Sequence, residues 1–139
     1  MKKILISLLT ALFLLSVPAT LQAGSKLEKR YDYTLKMLKL DKATEAKFAP
    51  VLRAYLTEKK AANDPYDNLK DKYKAAEKAG TLTDSQATQL LEAKMEADAK
   101  ELEVKKKYYV EFKKVLKPKK IWYAFDYASE KLSKIEGKD

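Results

Sequence analysis

The chain has no cysteine and no histidine in 139 residues, and only three glycines, four prolines and one tryptophan. Without cysteine there is no disulfide, thiol nucleophile or thiolate ligand. Without histidine the commonest acid-base and metal-binding side chain is missing as well. A zinc site would have to be built from carboxylates alone, a poor match to the nitrogen and sulfur donors zinc prefers. Pairs such as Glu92 and Glu96 share a helical face, but in a lysine-rich helix they read as solvated ion-pair partners. Nor is there a glycine-rich phosphate loop, a nucleophile elbow or a Ser/His/Asp set. The residues therefore assign no catalytic group, no metal and no cofactor, and the chain reads as a non-enzyme held together by packing.

Long apolar runs are equally scarce. The one present, Ile4 to Leu15, follows Lys2 and Lys3 and leads into Ser16-Val17-Pro18 and Leu21-Gln22-Ala23. A basic start, a short apolar core and a small-residue end make residues 1–23 a secretory signal peptide, with cleavage expected after Ala23. This twelve-residue core falls short of the about 20 residues that span a bilayer. Residues 24–139 are then expected to be one soluble, exported domain, periplasmic in location, with no cysteine to carry a lipid.

Acidic charge is in deficit. Without Lys2 and Lys3, 27 basic and 20 acidic residues remain, a net charge of +7. The excess is concentrated, because residues 105 to 120 hold eight lysines and one acid, Glu111. Such density favours anionic surfaces, whether lipid head groups or acidic protein segments. Export leaves no nucleic-acid partner expected.

Glycine and proline, being rare, act as punctuation, and no alternating run is long enough for a strand. The expected fold is all-α, an elongated thin bundle of four to five helices with one long helix. Leu27, Tyr31, Leu35 and Leu38 form one face of a first helix over about 26–39. Asp41 caps a second, with Phe48, Val51, Leu52, Tyr55 and Leu56 as its apolar side and a kink expected near Ala46, a turn ahead of Pro50. Asn63-Asp64-Pro65 opens a short third segment that Gly80 closes. Thr83 and Gln86 form a capping box opening the longest pattern, which runs to about Leu116 without Gly or Pro. Within it Leu91, Met95, Asp98, Leu102, Lys105, Tyr109, Phe112 and Leu116 follow steps of four and three, a heptad seam. Glu96 with Lys100, Glu101 with Lys105, and Glu103 with Lys107 are ion-pair candidates along it. Pro118 turns the chain into a closing helix with Ile121, Phe125, Leu132 and Ile135 on one side, and Leu116 able to staple against Ile121.

Three helix starts share a leading leucine: Leu40-Asp41-Lys42-Ala43-Thr44, Leu82-Thr83-Asp84-Ser85-Gln86 and Leu116-Lys117-Pro118-Lys119-Lys120. The middle one, with Leu82, Thr83 and Gln86, matches L-T-x-x-Q in full; the outer two depart at Thr44 and Lys120. In this motif and in its layout after the signal peptide, the chain resembles the Spy/CpxP-like family of small exported helical proteins. The resemblance implies an all-α, thin, curved antiparallel homodimer acting as an ATP-independent chaperone on its concave face. It also implies two roles found among relatives: docking on the exported domain of a membrane sensor, and zinc binding, which the missing His and Cys argue against.

The remaining constellation is aromatic and basic: Lys105-Lys106-Lys107-Tyr108-Tyr109, Phe112-Lys113-Lys114, and Lys119-Lys120-Ile121-Trp122-Tyr123. Tyr109, Phe112, Trp122 and Phe125 have a plain reading as core. Lys105, Lys106, Lys107, Tyr108, Lys113 and Lys114 are the expected client-binding group, where lysines attract acidic or unfolded segments and tyrosine supplies amphipathic contact area. The expected function is a holdase-like chaperone or envelope-stress accessory protein; the alternatives are a regulatory module docking on a sensor and a peripheral binder of anionic lipid.

Overall fold

Asp41, Gly80, Thr83 and Pro118 mark helix ends where the sequence signals them. In the computed structural model, which describes residues 21–138 and side chains from Lys26 onward, all the regular structure is helical. The order is α1 (Leu21–Leu38), α2 (Lys42–Ala79), α3 (Asp84–Lys113), α4 (Pro118–Ala128) and α5 (Leu132–Ile135). The apolar run of the signal-peptide reading lies outside the described residues, and cleavage after Ala23 would fall in the first turn of α1. Among the described residues no helix is long and apolar enough to cross a membrane.

Asp41 accepts the Thr44 amide at 2.8 Å and the Thr44 hydroxyl at 3.0 Å, capping α2. At α3 the capping box is complete: Gln86 N–H donates to Thr83 Oγ1 at 3.1 Å, and Thr83 N–H donates to Gln86 Oε1 at 3.0 Å. Gly80 ends α2 with φ of 70°, a left-handed conformation that glycine takes without strain, and Thr81 N–H reaches back to Ala76 O at 2.9 Å.

Asn63-Asp64-Pro65 opens no separate segment. Instead α2 runs for 38 residues through both Pro50 and Pro65, about 57 Å of helix at 1.5 Å per residue. It outreaches the 30 residues of α3, so the bundle has two long helices and the longest is not the one expected. A proline inside a helix costs about 3 kcal/mol, partly through the carbonyl it strands four residues back. Those carbonyls belong to Ala46 and Ala61, both exposed and open to water. The far stretch is held from outside by two bonds to α3: Asn63 Nδ2, which also donates to Lys59 O of its own helix, reaches Glu101 Oε2 at 2.8 Å, and Tyr73 Oη donates to Gln89 Oε1 at 2.8 Å. Packing along α3 thus overrides the local break signal.

The closing helix is also divided otherwise than expected, with α4 stopping at Ala128 and α5 starting at Leu132. No glycine or proline lies in the gap. Arg30 of α1 donates to both Ala128 O, at 2.9 Å, and Glu130 O. A continuing helix would give those carbonyls to the amides of residues 132 and 134, so the guanidinium takes the place of a helical turn.

α2 and α3 form an antiparallel hairpin. α1 and α4 lie antiparallel to each other, in a register fixed by Arg30 with Ala128, by the Tyr33 and Tyr127 rings 6.1 Å apart, and by Lys120 Nζ on Leu38 O at 2.6 Å. Where all four meet, Phe112 packs against Phe48, Phe125 and Tyr55 with centroids 4.9, 5.0 and 5.6 Å away. Leu38, Leu52, Leu116 and Ile121 complete this core, placing the expected staple pair within it. Its members on the hairpin end at Leu56 and Val104. Beyond, α2 and α3 continue as an arm, closed by small residues, Ala62 and Ala97, and by Tyr73.

Candidate functional site

The face of α3 that meets α2 is not the heptad seam. Leu90, Ala93, Ala97, Glu101, Val104, Tyr108 and Phe112 are its buried or half-buried positions, again at steps of three and four but rotated by one residue, about 100°. Small residues Ala93 and Ala97 let the two backbones approach, which a search for large apolar side chains passes over. The expected seam therefore points outward along most of its length: Leu91 is 64% exposed, Met95 62%, Leu102 51% and Tyr109 47%. Only its last two members, Phe112 and Leu116, enter the core.

This rotation exchanges the two tyrosines. Tyr108, expected on the client-binding surface, is 7% exposed, with its ring 5.7 Å from that of Tyr55 and its hydroxyl donating to Glu58. Burial, and then Glu58, push its pKa well above the ordinary tyrosine value. It is a structural residue. Tyr109, given a plain reading as core, instead stands on the outside with Lys113 Nζ 4.7 Å from its ring centroid.

The lysines of the expected site spread around the helix. Lys107 crosses to Glu58 of α2 at 2.9 Å, rather than pairing with Glu103. Lys105 lies over the Phe125 ring, 5.2 Å from its centroid, while Glu101 turns to Lys59 of α2 at 3.5 Å. Of the three pairs expected along α3, Glu96 with Lys100 is formed, at 3.1 Å. Lys106 and Lys113 are exposed, and Lys114 holds Glu111 at 3.1 Å. What the structure brings together is a stripe, Leu91, Met95, Leu102 and Tyr109, with Lys94, Asp98, Lys105, Lys106 and Lys113 interleaved or alongside. Trp122, one turn before Phe125, is 73% exposed, so the plain reading of this residue as core fails too.

Charge is segregated along the molecule. Residues 63–100, the arm, hold eight acids and six bases. Residues 26–62 and 101–138 together hold 21 bases and 11 acids. Where α1 meets α2, an open cleft of about 610 Å³ is lined by Leu27, Arg30, Leu56, Lys59 and Asp64, among others. Lys59 is its most enclosed cation; burial lowers its pKa, and Glu101 opposes that effect. Among the described residues, no group of three or more acidic side chains could hold a metal ion.

The Leu82-Thr83-Gln86 motif lies at the arm's tip, where both polar residues are occupied in the cap. Its position makes it a determinant of where α3 begins. In comparisons with protein-family models, with characterised proteins and with solved structures, nothing matches this chain significantly.

Proposed function

We propose that the protein is an exported, ATP-independent holdase-like chaperone of the Spy/CpxP-like kind, which captures unfolded or acidic protein segments on the outer face of α3. The observation that carries this reading is the stripe of Leu91, Met95, Leu102 and Tyr109, left uncovered along a charged helix. Scattered exposed apolar residues are ordinary; four in register along one helix face are a contact surface. Wide spacing and interleaved charge suit many weak contacts rather than one tight fit, and nearby lysines add long-range attraction for acidic segments. Release then needs no nucleotide, because a client that buries its own apolar residues withdraws them from the stripe. The L-T-x-x-Q start and the layout after the signal peptide support the same reading.

A homodimer belongs to this proposal. Leaving the stripe wet costs roughly 25 cal/mol per Å² of apolar surface, and a second copy is the nearest cover when no client is present. The test is suppression of aggregation for several unrelated unfolded proteins at stoichiometric amounts, at low and high salt. Suppression of all of them supports a holdase. Tight binding to one partner with no suppression overturns it in favour of a dedicated regulatory module.

A further inference from the structure

One end of the molecule gathers lysines that are far apart in sequence. The α1–α2 turn brings Lys36, Lys39 and Lys42, and the α3–α4 turn brings Lys113, Lys114, Lys117, Lys119 and Lys120. The two turns are tied together by Lys120, whose ammonium caps the end of α1 at Leu38 O, 2.6 Å away. Against these eight lysines stand Asp41, occupied as the α2 cap, Glu45, and Glu111, paired with Lys114. Lys36, Lys39, Lys42, Lys117 and Lys119 make no ion pair among the described residues.

The same end carries the chain's single tryptophan. Trp122 is 73% exposed, the largest exposure of any large apolar side chain among the described residues. Side chains lean toward the N-terminus of their helix, and α4 begins at this end, so the indole is directed toward the lysines. Met37, one residue before the end of α1, and Tyr123, in the second turn of α4, lie toward this same end. Each of these is 37% exposed. Exposed apolar side chains thus stand at the same end as a field of unpaired positive charge.

We propose that this pole docks on an anionic lipid surface, with Trp122 at head-group depth and the arm directed away. An extended acidic peptide is held in a groove or along a sheet edge, whereas two turns and a helix start make an end that meets a plane. Indole rings are favoured at the membrane interface, and lysine clusters are drawn by the negative potential of anionic lipid and can lay their apolar stems on it. The acid-rich arm is repelled by the same surface, which fixes the orientation. Docking here leaves Leu91, Met95 and Leu102 of the stripe free, so the inference goes beyond the holdase reading and its failure would not touch that reading.

Because Trp122 is the sole tryptophan, its emission reports on this pole whatever holds the rest of the chain. With the full chain, vesicles of phosphatidylcholine containing phosphatidylglycerol should shift that emission to the blue, and brominated phosphatidylglycerol should quench it. Vesicles of phosphatidylcholine alone should do neither. Joint substitution of Lys36→Gln, Lys117→Gln and Lys119→Gln, all exposed and unpaired, should weaken the vesicle-dependent shift at least tenfold. The matched change of Lys70, Lys72 and Lys74 on the arm should leave it as it is. Emission unmoved by phosphatidylglycerol vesicles, moved equally by neutral ones, or moved only by polyglutamate would each overturn the proposal, the last marking the pole as a protein-docking surface.

Discussion

Arg30 ends a helix it does not belong to: its Nη1 donates to Ala128 O at 2.9 Å, across 98 residues of sequence. Burial pulls its pKa down from the ordinary arginine value, and the Glu130 charge opposes this. Removing the guanidinium in Arg30→Ala leaves two carbonyls without their donor, at about 1.5–3 kcal/mol for a charged hydrogen bond. The expected compensation is that Leu132 and Lys134 supply their amides and α4 runs on into α5. Hydrogen exchange checks this: those two amides should gain protection while the melting temperature falls. Unchanged exchange together with unchanged stability would refute the helix-stop role.

Tyr108 and Tyr109 should respond oppositely to truncation. Tyr108→Ala opens the core beside Tyr55 and Phe112 and leaves Glu58 without its hydroxyl donor, with an expected loss of about 3 kcal/mol or more. Tyr109→Ala should change stability by about 0.5 kcal/mol or less, as surface substitutions do, but raise the dissociation rate of a bound client. Thermal melting and stopped-flow binding to one unfolded client, run on both variants, measure the contrast.

The stripe itself is tested by Leu91→Ser together with Met95→Ser. Neither side chain touches the core, so the fold should melt within about 0.5 kcal/mol of the parent. Sedimentation should show less dimer, and aggregation suppression should fall several-fold. If both are kept with the two residues changed, the outer face of α3 is not the working surface.

Thr83→Ala removes one half of the capping box and should cost about 1 kcal/mol. Client binding per folded molecule should be unchanged, since Thr83 and Gln86 are both engaged in the cap. A large loss of binding at an unchanged melting temperature would make the motif a contact site.

Acid should destabilise the protein through Glu58. Burial acts to raise this carboxyl's pKa, but the Tyr108 hydroxyl and the Lys107 ammonium outweigh it, leaving the pKa below the usual 4.5. Asp41 is lowered as well, by the Thr44 amide and hydroxyl. With the folded pKa below the unfolded one, the stabilisation is complete above the unfolded value and is lost as pH falls through the folded one. The melting temperature should therefore decline below about pH 4.5, through the carboxylate range. Glu58→Gln should flatten part of that decline, which a pH series of melts on both proteins would show.

Much of this was legible in the residues because short-range chemistry decides it. Asp41, Thr83 with Gln86, and Gly80 mark helix ends through bonds spanning six residues or fewer, and those ends stand as read. Where the reading went astray, a distant partner decided the outcome. Nothing local announces that Asn63 will hold α3 through Glu101 and steady Pro65 within a helix, or that Arg30 will stop α4. The rotation of α3 is the instructive case. Leu91, Met95, Leu102 and Tyr109 form a better apolar stripe than Leu90, Ala93, Ala97 and Val104, yet the second line faces inward because alanine admits a close neighbour. The size of the apolar side chains misled; their smallness was the signal. The same rotation placed Tyr108 in the core and Tyr109 on the candidate surface.

The uneven length of the core has a dynamic consequence. Around Phe112, opening the hairpin would expose rings from three helices at once, whereas near Gly80 it breaks the Tyr73–Gln89 hydrogen bond and the contacts of half-buried side chains such as Leu82 and Leu90. Free energy of local opening should therefore grade along the rod, shallow at the tip and approaching the global value in the body. The tip can unzip and re-close while the remainder stays folded, so a partner lying along the arm meets a surface that yields at one end and is rigid at the other.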